Sequence, residues 1–424
     1  MSTTSGTVVV VGQGYVGLPL AMRAVEAGYD VVGVDLDVTR SESLANGVSF
    51  VEDISDETVR SALASGRYRA TADYEAAERF RIAVITVPTP LKETLPDLSF
   101  IESAGESLAA HLSPGATIIL ESTTYPGTTE ELLVPLLERL SGLQAGKDFF
   151  VGYSPERIDP GNQKYTFVNT PKVVSGIDAE SLARVDDFYS SLVERTVPVS
   201  TPKEAELTKL LENTFRHVNI ALVNELAVFA RELGVNVWEA IDAASTKPFG
   251  FMKFTPGPGV GGHCLPVDPS YLSWQVRRSL GRSFRFVELA NDINEHQPDY
   301  VVQRAVEVLN NANKSLSGAR VLVLGVAYKK NSGDSRESPA HRIIELLNRY
   351  GARVTAADPH VADARWPQSL DRASLNAQVL DDKDLVILIT DHDDFDYDLI
   401  VASGIQVLDT RNRLPRAADN VSSL

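Results

Sequence analysis

The chain has 424 residues, 43% of them hydrophobic and 23% charged, which suits a folded protein of about three domains and excludes disorder, collagen and coiled coil. With 40 basic residues against 57 acidic ones the formal net charge is −17, which argues against binding nucleic acid or an anionic membrane, and no stretch approaches the ~18 apolar residues of a membrane span. The single cysteine, Cys264, excludes a disulfide framework and a cysteine-rich zinc site; no metal site is expected, no secretory signal is visible, and a cytoplasmic setting is expected.

In chain order, Val8–Val11 reads as a strand buried on both faces, followed by Gly12-Gln13-Gly14-Tyr15-Val16-Gly17, a helix over Leu18–Ala27 and a strand ending on Asp35. Strand-like runs recur at Ile82–Val87, Thr117–Leu120, Phe149–Gly152 and Lys172–Ser175, with helices over Ile101–His111 and Thr128–Leu140 between them. That alternation predicts a doubly wound parallel sheet. From Lys203 to Leu233 there is no proline or glycine, and Leu207, Leu210, Leu211, Phe215, Val218, Leu222 and Leu226 recur at helical spacing. Such a helix bridges two domains or pairs with a copy of itself. A Gly/Pro-rich loop, Pro256–Cys264, comes next, then a helix from about Phe286 to Asn310. The α/β pattern restarts with strands at Ala319–Leu324, Arg353–Asp358 and Leu385–Thr390 and a helix over Pro339–Tyr350. The fold class is therefore α/β, two Rossmann-like doubly wound parallel-sheet domains joined by a long-helix connector. Domain boundaries are expected at 1–200, 201–312 and 313–424.

The glycine hexapeptide has strand before it, helix after it and Asp35 18 positions beyond Gly17. Gly12 permits the tight turn, Gly14 admits the pyrophosphate, Gly17 allows close helix–strand contact, and the carboxylate of Asp35 suits the ribose hydroxyls of NAD and repels a 2′-phosphate. Arg40 is the one nearby group that would suit a phosphate. The second copy of the pattern lacks the glycine triplet, so a different ligand is expected there.

Cys264 lies beside four glycines between positions 257 and 262, an unusual setting for a packed core thiol, which leaves nucleophile and bystander both open. Asp268 is either a helix cap before Pro269 or a group that helps activate a water. Lys209 and Asn213 share a helix face, where the lysine is either a surface group or a cation for a developing alkoxide. Thr123 and Thr124, and Glu156 and Arg157, follow strands, where open α/β sheets collect their sites, although turns would also place them there.

These residues carry a resemblance over nearly the whole length. Val11–Gly17, Val87–Pro90, Glu121–Gly127, Ser154–Asn162, Lys209–Asn213, Pro256–Pro269, Ala327–Asn331 and Ser335–Ala340 resemble the motifs of the UDP-glucose/GDP-mannose dehydrogenase family. Phe215–Glu225 and Ser245–Phe251 look like its UDP-N-acetylglucosamine 6-dehydrogenase branch, with Asn331–Ser335 departing from the commoner loop form.

The resemblance implies a four-electron oxidation of a sugar C6 alcohol to a carboxylate with two NAD+, for surface polysaccharide synthesis. Cys264 is implied as the nucleophile that forms a thiohemiacetal and then a thioester. Lys209 and Asn213 are implied at the oxyanion, Asp268 and Thr124 at the water, and Glu156 as base. Gly12, Gly14, Tyr15, Val16, Gly17, Asp35, Arg40, Thr89, Thr124 and Arg336 are implied on the cofactor side. Glu156, Arg157, Lys209, Asn213, Arg216, Gly261 and Lys329 are implied on the UDP-sugar side; for Arg157 and Arg216 a structural salt bridge is the alternative. The amino-terminal, central and carboxy-terminal domains would bind NAD, form a homodimer and bind the UDP-sugar. UDP-GlcNAc is the expected substrate, with UDP-ManNAc or UDP-glucose as alternatives. A single-step hydroxyacid-type dehydrogenase would need no cysteine, and a nucleotide-binding scaffold would need no nucleophile.

Overall fold

The computed structural model describes residues 6–92, 95–158, 162, 164–262 and 264–424, with the backbone alone for Cys264 and Pro266. The chain divides into two compact units, Met1–Glu212 with Trp274–Gly281, and Asn213–Ser273 with Arg282–Leu424.

The first unit is built on an eight-stranded sheet. Its spatial order is Thr196–Pro198, Lys172–Gly176, Phe150–Tyr153, Thr117–Leu120, Ile82–Ile85, Thr7–Val11, Asp30–Val34 and Tyr68–Thr71. The valine run lies in the interior of the sheet because it has no polar face to offer solvent. Val8 and Val10 pack with Leu18, Leu20 and Ala21 on one side, while Val9 and Val11 pack with Ile101, Leu108 and Ile118 on the other. One pairing departs from the expected parallel sheet. Phe150–Tyr153 and Lys172–Gly176 run antiparallel, and among the described residues of 154–171 there is no crossover helix that a parallel return would need.

The second unit carries a six-stranded, wholly parallel sheet in the order Asp371–Arg372, Arg353–Ala357, Arg320–Leu324, Leu385–Leu388, Gln406–Asp409, Val421–Ser423. The helix Pro339–Arg349 starts where Ser338 caps the Ala340 N–H and Pro339 sets the first turn, and it buries Ile343 and Leu347 against this sheet. In each sheet the strand order reverses beside the first strand. Thr7–Val11 lies between Asp30–Val34 and Ile82–Ile85, and Arg320–Leu324 lies between Arg353–Ala357 and Leu385–Leu388. The carboxyl ends at these switch points are where open α/β sheets bind ligands.

The long helix spans Pro202–Glu232, one residue displaced from the expected span. Its covered face is mixed, with Leu210, Val223 and Ala227 buried beside polar groups. Glu206, Lys209, Asn213, His217 and Asn224 are buried, while Leu211 is 63% exposed and Leu222 and Phe229 are each 51% exposed. The helix thus carries a buried polar stripe among its core residues and leaves several large apolar side chains outward.

The expected helix over Thr128–Leu140 is a π-helical turn, Thr129–Leu133, continued by an α-helix, Val134–Ser141. The reading of Asp268 as a helix cap is corrected: a helix already begins at Cys264 and runs to Leu280, with Asp268 and Pro269 inside it. Pro269 lacks the N–H that would bond back to Leu265, a loss the helix tolerates near its start. No helix among the described residues is long and apolar enough to cross a membrane.

Candidate active site

The first strand of the amino-terminal unit ends in the turn that the glycine spacing requires. Gly12 adopts φ +90°, a conformation L side chains avoid, and its N–H donates to the Val34 carbonyl at 2.7 Å. A Cβ on Gly17 would stand 1.8 Å from the Gly12 carbonyl oxygen, so only glycine lets the helix Gly17–Glu26 start this close to the strand. A Cβ on Gly14 would meet nothing within 4 Å, which leaves open space at the helix amino terminus. Asp35 closes the turn: one oxygen accepts the Gln13 N–H at 2.9 Å, the other the Asp37 N–H at 3.0 Å. The guanidinium of Arg40 stands 4.0 Å from Asp35 and is half exposed. The open cradle and the ribose-directed carboxylate fit a dinucleotide.

Further along the same sheet edge, the carboxyl ends of Thr117–Leu120 and Phe150–Tyr153 deliver a buried ionic cluster. Glu121 contacts Lys172 through Oε1 and accepts the Tyr189 hydroxyl through Oε2 at 2.6 Å. Lys172 also lies 3.4 Å from Oε2 of Glu156. The other oxygen of Glu156 accepts the N–H of Arg157 at 2.5 Å and that of Ile158. Burial raises the Glu121 carboxyl above the ordinary range, and the Lys172 ammonium only partly offsets this. Burial pushes Glu156 the same way, but there Lys172, a hydrogen bond from Glu121 and Lys209 outweigh it, and the group sits below the ordinary range. The ammonium of Lys209 donates to the Glu156 main-chain carbonyl at 2.5 Å.

Thr89 and Thr124 are buried at the ends of neighbouring strands, and the Thr124 hydroxyl has no hydrogen-bond partner among the described residues. Arg157 pairs with Glu212 at 2.6 Å and also donates to the Pro171 carbonyl at 2.6 Å, so its guanidinium is tied to the start of the long helix.

In the second unit, the Asn213 amide donates to Asp268 Oδ2 at 2.5 Å, and both are buried. The glycine-rich loop lies against the carboxy-terminal sheet's loops. A Cβ on Gly261 would approach the Glu337 carbonyl to 2.8 Å and the Tyr328 side chain to 2.7 Å, and the Gly262 N–H donates to the Arg336 carbonyl at 3.2 Å. Arg336 forms a fork-to-carboxylate pair with Asp334, at 2.6 Å for Nη2 to Oδ2. Lys329 is half-buried on the same loop, whereas Arg216 is exposed. The backbone of Cys264 opens its helix directly after this loop; its side chain lies outside what is described. Among the described residues no group of three His, Cys, Asp or Glu side chains is placed to hold a metal.

The sequence matches the UDP-glucose/GDP-mannose dehydrogenase family in three consecutive parts: its NAD-binding domain over residues 6–193, its central domain over 203–296 and its UDP-binding domain over 322–416. The chain belongs to the UDP-glucose/GDP-mannose dehydrogenase family. Relatives within it include a UDP-N-acetyl-D-mannosamine dehydrogenase of Pyrococcus horikoshii, 37% identical over 92% of this chain and 90% of that one. A UDP-N-acetyl-D-glucosamine 6-dehydrogenase of Pseudomonas aeruginosa is 38% identical over 84% and 83%. The solved UDP-D-ManNAc dehydrogenase of Pyrococcus horikoshii superimposes with a TM-score of 0.90 at 34% identity, covering 98% of each chain.

Membership makes the protein an NAD-dependent oxidoreductase of nucleotide sugars, and its first domain the NAD domain. The same domain order explains the restarted α/β pattern: in the UDP-binding domain Gly325 repeats the φ of Gly12, at +87°, but valine and alanine follow it. There Asp358 takes the place of Asp35. Its two oxygens accept the N–H groups of Val326, Ala327, His360 and Val361, and His392 Nε2 at 3.0 Å.

Residue-by-residue reading missed a second polar set. Asn224 accepts the Gly257 N–H at 2.9 Å and donates to Asn294 at 3.0 Å, while His217 meets Asn291 at 2.7 Å. These side chains tether the glycine-rich loop to two helices. Their signal was the spacing Lys209, Asn213, His217, Asn224, a single helical stripe of polar residues.

Proposed function

We propose that the enzyme oxidises the C6 hydroxyl of a UDP-N-acetylhexosamine, with UDP-GlcNAc the first choice, to the uronic acid through a covalent Cys264 intermediate. The observation that carries this reading is the docking of the glycine-rich loop on the UDP-binding domain, with Gly261 and Gly262 pressed against Tyr328 and the Arg336 carbonyl. That contact brings the segment ending in the chain's single cysteine to the domain expected to hold the nucleotide sugar. Relatives named for both GlcNAc and ManNAc substrates match at similar identity, which supports the hexosamine class and leaves the epimer to experiment.

Bound NAD+ would supply the hydride acceptor for each of the two oxidations. Gly12, Gly14, Tyr15, Val16, Gly17, Asp35 and Thr89 hold the cofactor in this reading. The C6 alcohol gives up its proton to solvent and its hydride to the cofactor's acceptor position, and becomes an aldehyde. The Cys264 thiolate adds to it, and Lys209 and Asn213 stabilise the oxyanion. Loss of a second hydride leaves a thioester. Water, oriented by Asp268 and Thr124 and deprotonated by Glu156, forms the new C–O bond, and the C–S bond breaks to release the carboxylate and the thiolate. Arg157, Arg216, Gly261 and Lys329 are read as contacts to the UDP-sugar, and Arg336 as a group on the cofactor side.

The exposed apolar stripe of Leu211, Leu222, Leu226 and Phe229 supports a homodimer through the long helix. The domain division at 1–200, 201–312 and 313–424 and a cytoplasmic location complete the reading.

The test is purified protein with NAD+ and a panel of UDP-sugars, counting NADH per sugar. About two NADH per sugar and a uronic acid product are expected for a UDP-N-acetylhexosamine. Turnover of UDP-glucose alone would overturn the substrate assignment, and Cys264→Ala that still completes both oxidations would overturn the covalent route.

A further inference from the structure

The buried cluster at the end of the amino-terminal sheet contains three groups with no role in the scheme above: Lys172, Glu121 and Tyr189. All are nearly inaccessible, with side-chain exposures of 5% for Lys172 and 0% for Glu121. Lys172 lies over the rings of Phe167 and Tyr189, at 5.6 and 5.0 Å from their centroids. Buried lysines are retained only where counter-charges compensate their desolvation. Here two carboxylates face one ammonium.

The oxygens of Glu156 are not equivalent. Oε1 is fixed by the backbone N–H groups of Arg157 and Ile158. Oε2 is the remaining basic site, and its neighbour is Lys172 at 3.4 Å. Glu121 competes for the same ammonium and is itself anchored by Tyr189. The other charges beside Glu156 are engaged elsewhere: Lys209 donates to its main-chain carbonyl, and Arg157 is paired with Glu212.

We propose that Lys172, shared between Glu121 and Glu156, is a positioning residue that sets the basicity and orientation of Glu156 Oε2 for thioester hydrolysis. The proposal rests on Glu156 being the hydrolytic base. Lys172 holds the carboxylate ionised and aimed, and Glu121 draws the ammonium part-way off, so that Oε2 stays basic enough to take a proton from water.

Two neighbours of one ammonium then give opposite shifts, which a merely structural role does not. In Lys172→Met the acid limb of the kcat–pH profile is expected to move up by about one unit, the acyl-enzyme to accumulate on intact-mass analysis, and KM to stay within about twofold. In Glu121→Gln the amide can still donate to Glu156 in place of the Glu121 hydrogen bond, while the carboxylate that competes for the ammonium is gone; the ammonium then serves Glu156 alone, and the limb is expected to move down. Lys172→Arg is expected to restore the wild-type limb. Limbs that stay put, or that move the same way in the Met and Gln variants, overturn the proposal. If Lys172→Met does not fold, the direction of the limb in Glu121→Gln decides. NADH production by wild-type protein tests the functional reading separately. A 13C-NMR titration of the Glu156 carboxyl, assigned with Glu156→Gln, reads the same opposite shifts without turnover.

Discussion

Asn213 donates its side-chain amide to Asp268 at 2.5 Å, joining the fourth turn of the long helix to the helix that Cys264 opens. Removing the amide withdraws one donor from a buried carboxylate, which costs about 1–3 kcal/mol. Asn213→Ala is therefore expected to lower the melting temperature by a few degrees and kcat by at least about tenfold, since oxyanion donors contribute on that scale or above. Asn213→Asp places two carboxyls face to face and is expected to be worse at pH 8 than at pH 5. Thermal melts and NADH kinetics at both pH values check this.

The three motif glycines serve different ends, and alanine separates them. Gly17→Ala forces a Cβ to 1.8 Å from the Gly12 carbonyl and is expected to destabilise the fold by more than about 3 kcal/mol. Gly14→Ala meets nothing in the protein and is expected to leave the melting temperature within a few degrees while weakening NAD binding at least about tenfold. Calorimetric titration of NAD against each variant distinguishes them. Equal loss of stability in both would contradict the geometry.

Asp35 holds Gln13 and Asp37, and in the proposed function it also sets the choice of cofactor. Asp35→Ser is expected to shift the NAD-to-NADP ratio of kcat/KM toward NADP by about ten- to a hundredfold, with Arg40 freed to meet the 2′-phosphate. Initial rates with both cofactors at a fixed sugar concentration measure the ratio.

Glu206 is buried and accepts the N–H of Gly127 at 2.6 Å and the N–H and hydroxyl of Thr129 at 2.9 and 2.7 Å. Burial nevertheless pushes its carboxyl up, to about 7 from a starting value of 4.5. A carboxyl raised on folding binds its proton more tightly in the folded state, so its contribution to stability is full below about pH 4.5 and is lost as pH rises to about 7. The stability difference between wild type and Glu206→Gln is expected to shift in the variant's favour across that window. Urea denaturation at pH 4.5, 6 and 8 tests the slope; a difference independent of pH would contradict it.

Much of this was legible in the chain. The valine run, the glycine hexapeptide and Asp35 describe local geometry, and local geometry is what spacing encodes. The strand Lys172–Gly176 was legible but its antiparallel direction was not, because strand direction depends on a long connection whose path has no periodic signature. Of the two readings of Asp268, the helix cap fell because a proline usually marks a helix start, and here it lies inside one. The Glu121–Lys172–Glu156 cluster draws on residues up to 51 positions apart in sequence, a separation no window spans. The outward placement of Leu211, Leu222 and Phe229 on the long helix was not legible, since periodicity reveals a stripe of apolar residues but not which of them face inward.

The saturated carboxylate of Asp358 bears on what the carboxy-terminal sheet can hold. Both sheets share a first turn with a left-handed glycine and an acid after the second strand. In the carboxy-terminal copy the acid has been walled in by four backbone N–H groups and the buried His392. Glycines in place of Val326 and Ala327 would therefore not by themselves make this turn a copy of the first, because the acid that would have to meet a ribose is already committed to the framework.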